Sequence, residues 1–394
     1  MPGTSGLDDL QGALKAVWGY DALRYHQRRV VLAAVRGRDC LALLPTGGGK
    51  SICFQLPALT LSGLTLVVSP LIALMQDQVG ALRRRGIAAA FVTSAQSAAR
   101  RAAVWSAVGR HALTLLYVAP ERLAEVGERL AGERPALLAV DEAHCISEWG
   151  HEFRPHYRAL GRHRQLLGMP PTLAVTATAT PETARDIVRV LRLRRPVIVR
   201  QPFDRPNLRF EVRRLARESD RMRAAADLLR REEGTAIVYV PTRNRTDGTT
   251  RVLRWWGVAA EPYHAGLPTA ARRELLTRFV AGNIRVMVAT NAFGMGIDKP
   301  DVRLVVHLGI PARPEAYYQE AGRAGRDGRP ARCVMLWIPP DLQLATYLSG
   351  TGPAAARGLA AMRRYVRTRG CRRRLLLEYL GDRAPACSGC DRCG

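Results

Sequence analysis

Leu44-Pro45-Thr46-Gly47-Gly48-Gly49-Lys50-Ser51 brings glycines, a lysine and a hydroxyl together in the order that phosphate binding requires. Thr46, Gly47, Gly48 and Gly49 form a turn whose backbone N–H groups can point inward around phosphate oxygens. Lys50 can reach the β and γ phosphates, and Ser51 offers its hydroxyl to Mg²⁺. The strict loop pattern has glycine where this chain has Leu44, but an apolar run, Cys40 to Leu43, precedes the loop and a helical pattern follows it. Farther on, Leu137-Leu138-Ala139-Val140-Asp141-Glu142-Ala143-His144 ends an apolar run in two adjacent carboxylates. Asp141 can hold the Mg²⁺ that bridges the phosphates, while Glu142 orients and deprotonates the attacking water. Alone, such a pair is commonly a solvated turn. Paired with the glycine loop it reads as a nucleotide hydrolysis site.

Three further groups carry chemistry. Arg323 and Arg326 stand three apart in Tyr317-Tyr318-Gln319-Glu320-Ala321-Gly322-Arg323-Ala324-Gly325-Arg326-Asp327-Gly328. That spacing predicts one side of a helical turn, from which both can enter a cleft between lobes and neutralise charge on a transferring phosphoryl group. In so arginine-rich a chain, a solvated basic helix is the alternative. Directly after His144, Cys145-Ile146-Ser147-Glu148-Trp149-Gly150-His151-Glu152-Phe153-Arg154-Pro155 sets aromatic side chains beside the carboxylates. Trp149 and Phe153 offer flat surfaces for base stacking, worth about 1–3 kcal/mol per base, and Arg154 can meet a phosphate; two core aromatics are the alternative. Finally, Cys371, Cys387, Cys390 and Cys393 have the spacing C-x₁₅-C-x₂-C-x₂-C. Four thiolates suit tetrahedral Zn²⁺, and disulfides would need an oxidising compartment for which nothing speaks. Cys40, Cys53, Cys145 and Cys333 are scattered through apolar contexts and are expected to be buried thiols.

These residues need rigid elements beneath them. Short apolar runs bounded by turn residues, each followed by a helical pattern, predict β/α units around parallel sheets. Candidate strands are Leu64 to Ser69, Leu113 to Val118, Leu137 to Val140 and Leu173 to Thr176. A second series lies at Ala236 to Val240, Val286 to Ala289, Leu304 to Leu308 and Val334 to Trp337. Gln201-Pro202-Phe203-Asp204-Arg205-Pro206-Asn207 interrupts the periodicity as a linker would. After Pro339-Pro340 the pattern turns helical, with Ala354 to Arg369 and Arg372 to Leu380 as candidates. The expected class is α/β: a parallel-sheet lobe over 1–202, a second over 203–340, and a small helical zinc-binding module over 341–394.

The chain has 394 residues, ample for two or three domains, and a formal net charge of +26. Only Lys15, Lys50 and Lys299 are lysines, so both a polyanionic partner and an arginine-biased codon usage account for the charge. Between Ala361 and Arg383, eight arginines face only Glu378 and Asp382, which makes that region a candidate duplex contact. Hydrophobic residues at 47% and charged residues at 24% exclude disorder and collagen. The uncharged stretch Ser51 to Gln76 is broken by Pro57, Gly63 and Pro70 into pieces too short to span a bilayer. No secretory signal is visible, so a cytoplasmic protein without membrane contact is expected.

At this point the residues resemble the superfamily 2 helicases and, within them, the RecQ DNA helicases, almost from end to end. Trp18-Gly19-Tyr20 with Arg24 and Gln27 is similar to that family's adenine-reading motif 0. Ser69-Pro70-Leu71 through Asp77-Gln78 resembles motif Ia, and Tyr117 through Leu123 motif Ib. Val175-Thr176-Ala177-Thr178-Ala179 is similar to motif III, Ala289 through Asp298 to motif V, and the double-arginine element to motif VI. The resemblance implies two RecA-like lobes, adenine contacts from Tyr20, Arg24 and Gln27, a catalytic role for Gln319, and Arg326 as the arginine finger with Arg323 beside it. The aromatic stretch resembles the loop linking single-strand contact to hydrolysis, and the cysteines resemble the RecQ zinc module. Departures are Tyr25-His26 where the family has Pro-Gly, Glu152 where Asp is usual, and Pro241-Thr242-Arg243 in motif IV. The sequence stops one residue after the last cysteine, so a short form without winged-helix and HRDC domains is expected.

The implied function is an ATP-dependent 3′ to 5′ DNA helicase that translocates on single-stranded DNA and unwinds 3′-tailed duplexes in repair and recombination. A monomer, bacterial and nucleoid-associated when bound to DNA, is expected. The alternatives are a DNA-stimulated translocase or annealing factor with weak unwinding, and a DNA-binding scaffold with a vestigial ATPase.

Overall fold

β1 (Cys40–Leu43), β2 (Thr65–Val68), β3 (Ala89–Val92), β4 (Leu115–Val118), β5 (Leu137–Val140), β6 (Thr172–Thr176) and β7 (Val197–Arg200) are short runs, almost free of charge. A strand covered on both faces by helices reads this way, and in the computed structural model all seven pair in parallel in the order β3-β4-β2-β5-β6-β1-β7. The structure describes residues 5–45, 47–130, 134–147, 154–291, 293, 299–384, 386–387 and 389–394. It divides into two compact units, 1–202 and 203–394. Among the described residues, no helix is long and apolar enough to cross a membrane.

The second unit is built on β8 (Leu208–Arg214), β9 (Thr235–Tyr239), β10 (Ala260–Tyr263), β11 (Val286–Ala289), β12 (Val302–Leu308) and β13 (Ala331–Trp337), again parallel, in the order β10-β11-β9-β12-β13-β8. One face of its sheet buries Val238, Val288, Val306 and Val334 against Ala225, Leu229 and Leu253. Helices Asp341–Leu348, Pro353–Arg367 and Arg372–Tyr379 belong to the same unit.

Five strands are absent from the candidates named above. Cys40–Leu43 is there only as an apolar run. Ala89–Val92 and Val197–Arg200 lie at the two edges of the first sheet, and Ala260–Tyr263 at one edge of the second. Pro262 is tolerated there because an edge strand can lack one N–H. At the other edge, Leu208–Arg214 alternates Phe210 and Val212, both buried, with arginines and Glu211, a pattern that reads as surface. Its free side is taken by a bridge between Phe210 and Cys390.

Candidate nucleotide site and four-cysteine cluster

β1 and β5 are separated by one strand, β6, so the chain leaves the sheet at three neighbouring carboxyl ends: the glycine loop after Leu43, the carboxylates after Val140, and Thr176 between them. Ligands of open parallel sheets bind at such ends. Lys50 Nζ stands 3.8 Å from Glu142 Oε1, both side chains largely shielded. Glu142 adopts a left-handed backbone, φ 47°, that a side chain-bearing residue takes only when its surroundings hold it. Its N–H is accepted by Asp141 Oδ1 at 3.0 Å, and the Asp141 carbonyl accepts the Tyr157 hydroxyl at 3.0 Å. His144 Nδ1 lies 3.3 Å from Glu142 Oε2 and 2.9 Å from Thr176 Oγ1, linking the carboxylates to the end of β6. Burial first, and the Glu142 charge second, push the Asp141 carboxyl up to about 7, against the lowering pull of Lys50. A carboxyl so raised gains most from a cation set beside it.

The glycine loop is laced by residues from the chain's beginning. Arg24 Nη1 donates to the Gly47 carbonyl at 2.9 Å, and Gln27 Nε2 donates to the Gly48 carbonyl at 3.0 Å. Gln27 Oε1 accepts the Arg24 N–H at 3.0 Å, which caps the helix Tyr25–Val35. Tyr25 and His26 therefore occupy the first turn of a regular helix, with Tyr25 exposed. The Gln27 amide thus serves the loop with its nitrogen and the helix start with its oxygen, and Tyr20 stands exposed nearby in sequence. At Gly49, φ is +69° and a Cβ would collide with Gln27 Nε2, so only glycine fits. Arg154 Nη1 is engaged by the Pro70 carbonyl at 2.9 Å, inside the segment that resembles motif Ia. Thr46, Trp149 and Phe153 lie outside the described residues.

Gln78 carries a contact the residue pattern did not reveal: its Nε2 donates to Ser51 Oγ at 3.1 Å, tying the helix Ile72–Arg84 to the hydroxyl expected at Mg²⁺. His144 and Thr176 were visible only as motif members, without the bond that joins them. Ser51 and Asp141, an oxygen pair at the carboxyl end of the sheet, suit a divalent cation that keeps most of its water.

In the second unit the double-arginine element differs from expectation. The helix Pro314–Ala321 ends before Arg323, and residues 322–327 form turns instead of another helical turn. Gly325 shapes the turn between the two arginines: its φ is +55°, and a Cβ there would lie 2.5 Å from Asn207 Nδ2 and 2.7 Å from the Arg329 carbonyl. Gln319 and Arg323 are buried, Arg326 half-buried. Arg323 bonds the Tyr239 hydroxyl, which itself donates to the Phe293 carbonyl at 2.8 Å. His307 Nε2 and Glu320 Oε2, 2.8 Å apart, complete this charged layer at the ends of β9 and β12.

The four sulfurs of Cys371, Cys387, Cys390 and Cys393 all lie within 4.8 Å of one another. A tetrahedral zinc with Zn–S bonds of about 2.3 Å spaces its sulfurs ~3.8 Å apart, so the cluster fits that ion. Cys371 caps the helix Arg372–Tyr379, its Sγ accepting the Arg374 N–H at 3.3 Å. Burial raises the Cys390 thiol, but the Arg392 and Arg372 backbone N–H groups and the neighbouring thiols outweigh it and draw it down to about 7. By contrast, burial pushes Cys40 and Cys333 up to about 12, as inert core thiols require. The expected arginine-rich duplex contact shrinks, because Arg372 and Arg373 are buried and spent on internal partners. The purified protein is expected to carry one zinc per chain by metal analysis. Four thiols should become reactive to a thiol reagent only after chelation, while the other four stay protected until unfolding.

Two RecA-like parallel-sheet units, one bearing a glycine loop and an Asp-Glu pair at strand ends one strand apart, are the architecture of the superfamily 2 helicases. Family models agree along the chain: DEAD/DEAH box helicase over residues 24–187, helicase conserved C-terminal domain over 220–328, and RecQ zinc-binding over 351–394. The chain is 44% identical over 354 residues to the ATP-dependent DNA helicase RecQ of a Synechocystis species, covering 86% of this chain and 74% of that one. It is 39% identical over 389 residues to the RecQ of Pasteurella multocida, covering 96% of this chain and 61% of the relative. Among solved structures, the DUF1998 helicase MrfA bound to DNA and AMPPNP superposes with a TM-score of 0.71 at 20% identity, over 86% of this chain and 52% of that one. The chain belongs to the RecQ family. It spans about 61–66% of the length of several curated relatives.

Proposed function

We propose that this protein is an ATP-dependent DNA helicase that couples hydrolysis to 3′ to 5′ movement along single-stranded DNA. The observation that carries the reading is the approach of Lys50 to Glu142 at the carboxyl ends of β1 and β5, with Ser51 and Asp141 beside them. In this reading Lys50 binds the β and γ phosphates, Glu142 takes a proton from the attacking water, and Arg24 and Gln27 exchange loop carbonyls for the adenine edge when nucleotide enters. Ser51 and Asp141 would hold a Mg²⁺ ion, which would supply positive charge toward the phosphates. Arg326, with Arg323 and Gln319 behind it, meets the γ-phosphate when the second unit closes on ATP, and its release on hydrolysis drives the stroke. Trp149, Phe153 and Arg154 contact the single strand, and the bond from Arg154 to Pro70 supports a link between the DNA-contacting loop and motif Ia.

The test is ATP hydrolysis with and without single-stranded DNA, followed by strand displacement on blunt, 3′-tailed and 5′-tailed duplexes. Stimulation by the single strand, with unwinding confined to the 3′-tailed substrate, is the expected result. Equal hydrolysis with and without DNA would sink the coupling. Stimulation without displacement would make the protein a translocase, and preference for the 5′ tail would reverse the polarity.

A further inference from the structure

The segment from Phe203 to Leu208 looks like a linker in the sequence, yet in the structure it is clamped from two sides. On one side stand the cysteine-bearing elements. Arg373, buried in the first turn of the helix Arg372–Tyr379, donates through Nη1 to the Asp204 carboxylate at 2.6 Å and to the Arg205 carbonyl at 2.7 Å, and through Nη2 to the Leu208 carbonyl at 2.5 Å. The same side chain is hydrogen-bonded to Cys387. Asp382 accepts the Phe203 N–H at 2.7 Å. On the other side is the turn that carries the two arginines. Arg205 donates to the carbonyls of Gly322, Ala324 and Gly325 at 3.4, 3.1 and 2.7 Å, and Asn207 Nδ2 donates to Gly325 and Arg329 carbonyls at 2.8 and 2.9 Å.

We propose that Arg373 and Arg205 are positioning residues through which the four-cysteine metal site sets the geometry of the Arg323–Arg326 turn. The inference rests on the reading of those two arginines as cations for the γ-phosphate. Its physical basis is the guanidinium fork, which presents donors in several directions at once where an ammonium offers a point charge. A zinc-bound Cys387 is a thiolate, and the outer-sphere bond from Arg373 is then charge-assisted. With the metal gone, nothing ties Cys387 to the other three sulfurs. The cysteine loop, laid along β8 by the Phe210 N–H to Gly389 carbonyl and Asp391 N–H to Phe210 carbonyl bonds, each 3.0 Å, loses the anchor that fixes it. Arg373 then no longer holds Asp204 and Arg205 in place. Arg205 in turn covers carbonyls just past the C-terminus of the helix Pro314–Ala321, where a cation is favoured, so its displacement loosens the backbone under Arg323 and Arg326.

Two measurements test this. The first is hydrogen exchange on the protein without nucleotide, before and after zinc removal by a chelator. Amides of 203–208 and 322–325 should exchange faster while those of β9, β11 and β12 stay protected. Unchanged exchange at 322–325 overturns the proposal. If chelation exposes the whole unit, the same comparison is made on zinc-loaded Arg373→Lys, where the same two segments should respond and an unchanged pattern is equally fatal. The second is steady-state hydrolysis by zinc-loaded Arg373→Lys and Arg205→Lys, with Arg326→Ala alongside. Ångström-scale misplacement costs up to about 10²-fold, so kcat should fall at least ~10-fold with KM for ATP nearly unchanged. In cobalt-substituted protein, Arg373→Lys should also shift the sulfur-to-metal charge-transfer band. Should Arg326→Ala abolish turnover while both lysine variants hydrolyse normally, the relay fails alone. Should Arg326→Ala hydrolyse normally, the γ-phosphate reading fails, and the exchange result still decides whether the metal site orders the turn.

Discussion

Glu142→Gln is expected to lower kcat for ATP hydrolysis by about 10²–10⁴-fold, the range for loss of a positioned general base, while nucleotide binding persists. Glutamine has the same shape, and the left-handed backbone at this position asks nothing of it that it does not ask of glutamate. What changes is charge. The Glu142 carboxylate is the second largest influence raising Asp141, after burial, and Lys50 is the main opposing one. A neutral side chain at 142 therefore lets Asp141 ionise more readily, and its hold on a divalent cation strengthens. Lys50→Ala acts in the opposite sense: it removes the phosphate contact and the cation that favours ionised Asp141, so turnover and affinity are lost together. Equilibrium titration with a fluorescent ATP analogue, run beside steady-state hydrolysis, separates the two patterns. An E142Q protein that turns over at the wild-type rate would remove Glu142 from the chemistry. A K50A protein that keeps DNA-stimulated hydrolysis would remove the loop.

What the sequence discloses of this site is what lies close along the chain. The glycine loop, the Asp-Glu pair and the cysteine spacing are local patterns, each fixed by the ion or phosphate it suits. The contacts that aim them are not local. Gln78 meets Ser51 across 27 positions, and His144 meets Thr176 across 32, the second because β6 is inserted between β5 and β1. Nothing in the order of the strands along the chain announces that insertion. Two of the five missed strands are masked by their composition: Leu208–Arg214 by Glu211 and its exposed arginines, and Ala260–Tyr263 by a proline at an edge. The double-arginine turn was misread as helix because Gly325 looks permissive in sequence, whereas in the fold it is required by Asn207 and the Arg329 carbonyl pressing from one side. Arg205 and Arg373 were lost among 60 basic residues, where only the backbone carbonyls each side chain meets distinguish a structural arginine from a solvated one.

Arg164→Met should have the largest effect on stability, about 3–5 kcal/mol, the usual cost of leaving one partner of a buried ion pair uncompensated. Arg164 and Asp39 are both buried, with Nη2 and Oδ1 2.6 Å apart. The aspartate also accepts the Thr172 N–H at 2.9 Å and the Arg194 N–H at 2.5 Å. The arginine donates to the carbonyls of Pro170, Leu191 and Arg192 at 3.1, 2.8 and 2.8 Å. One pair thus gathers the amino ends of β1 and β6 and the turn that leads into β7, including Arg192 and Arg195 with their positive φ of 52° and 42°. Methionine fills much of the volume but leaves Asp39 charged and three carbonyls without their donor. Removing the Asp39 charge as well, in Asp39→Asn with Arg164→Met, should recover part of the loss, since the unpaired buried charge is then gone. Urea unfolding reads the difference as a shift in midpoint at constant slope. Because the strands are parallel and the pair sits at the end opposite the Lys50 loop, hydrolysis per folded molecule should be unchanged. A fall in both would mean that the two ends of β1 are coupled, and that the pair holds the loop as well as the sheet.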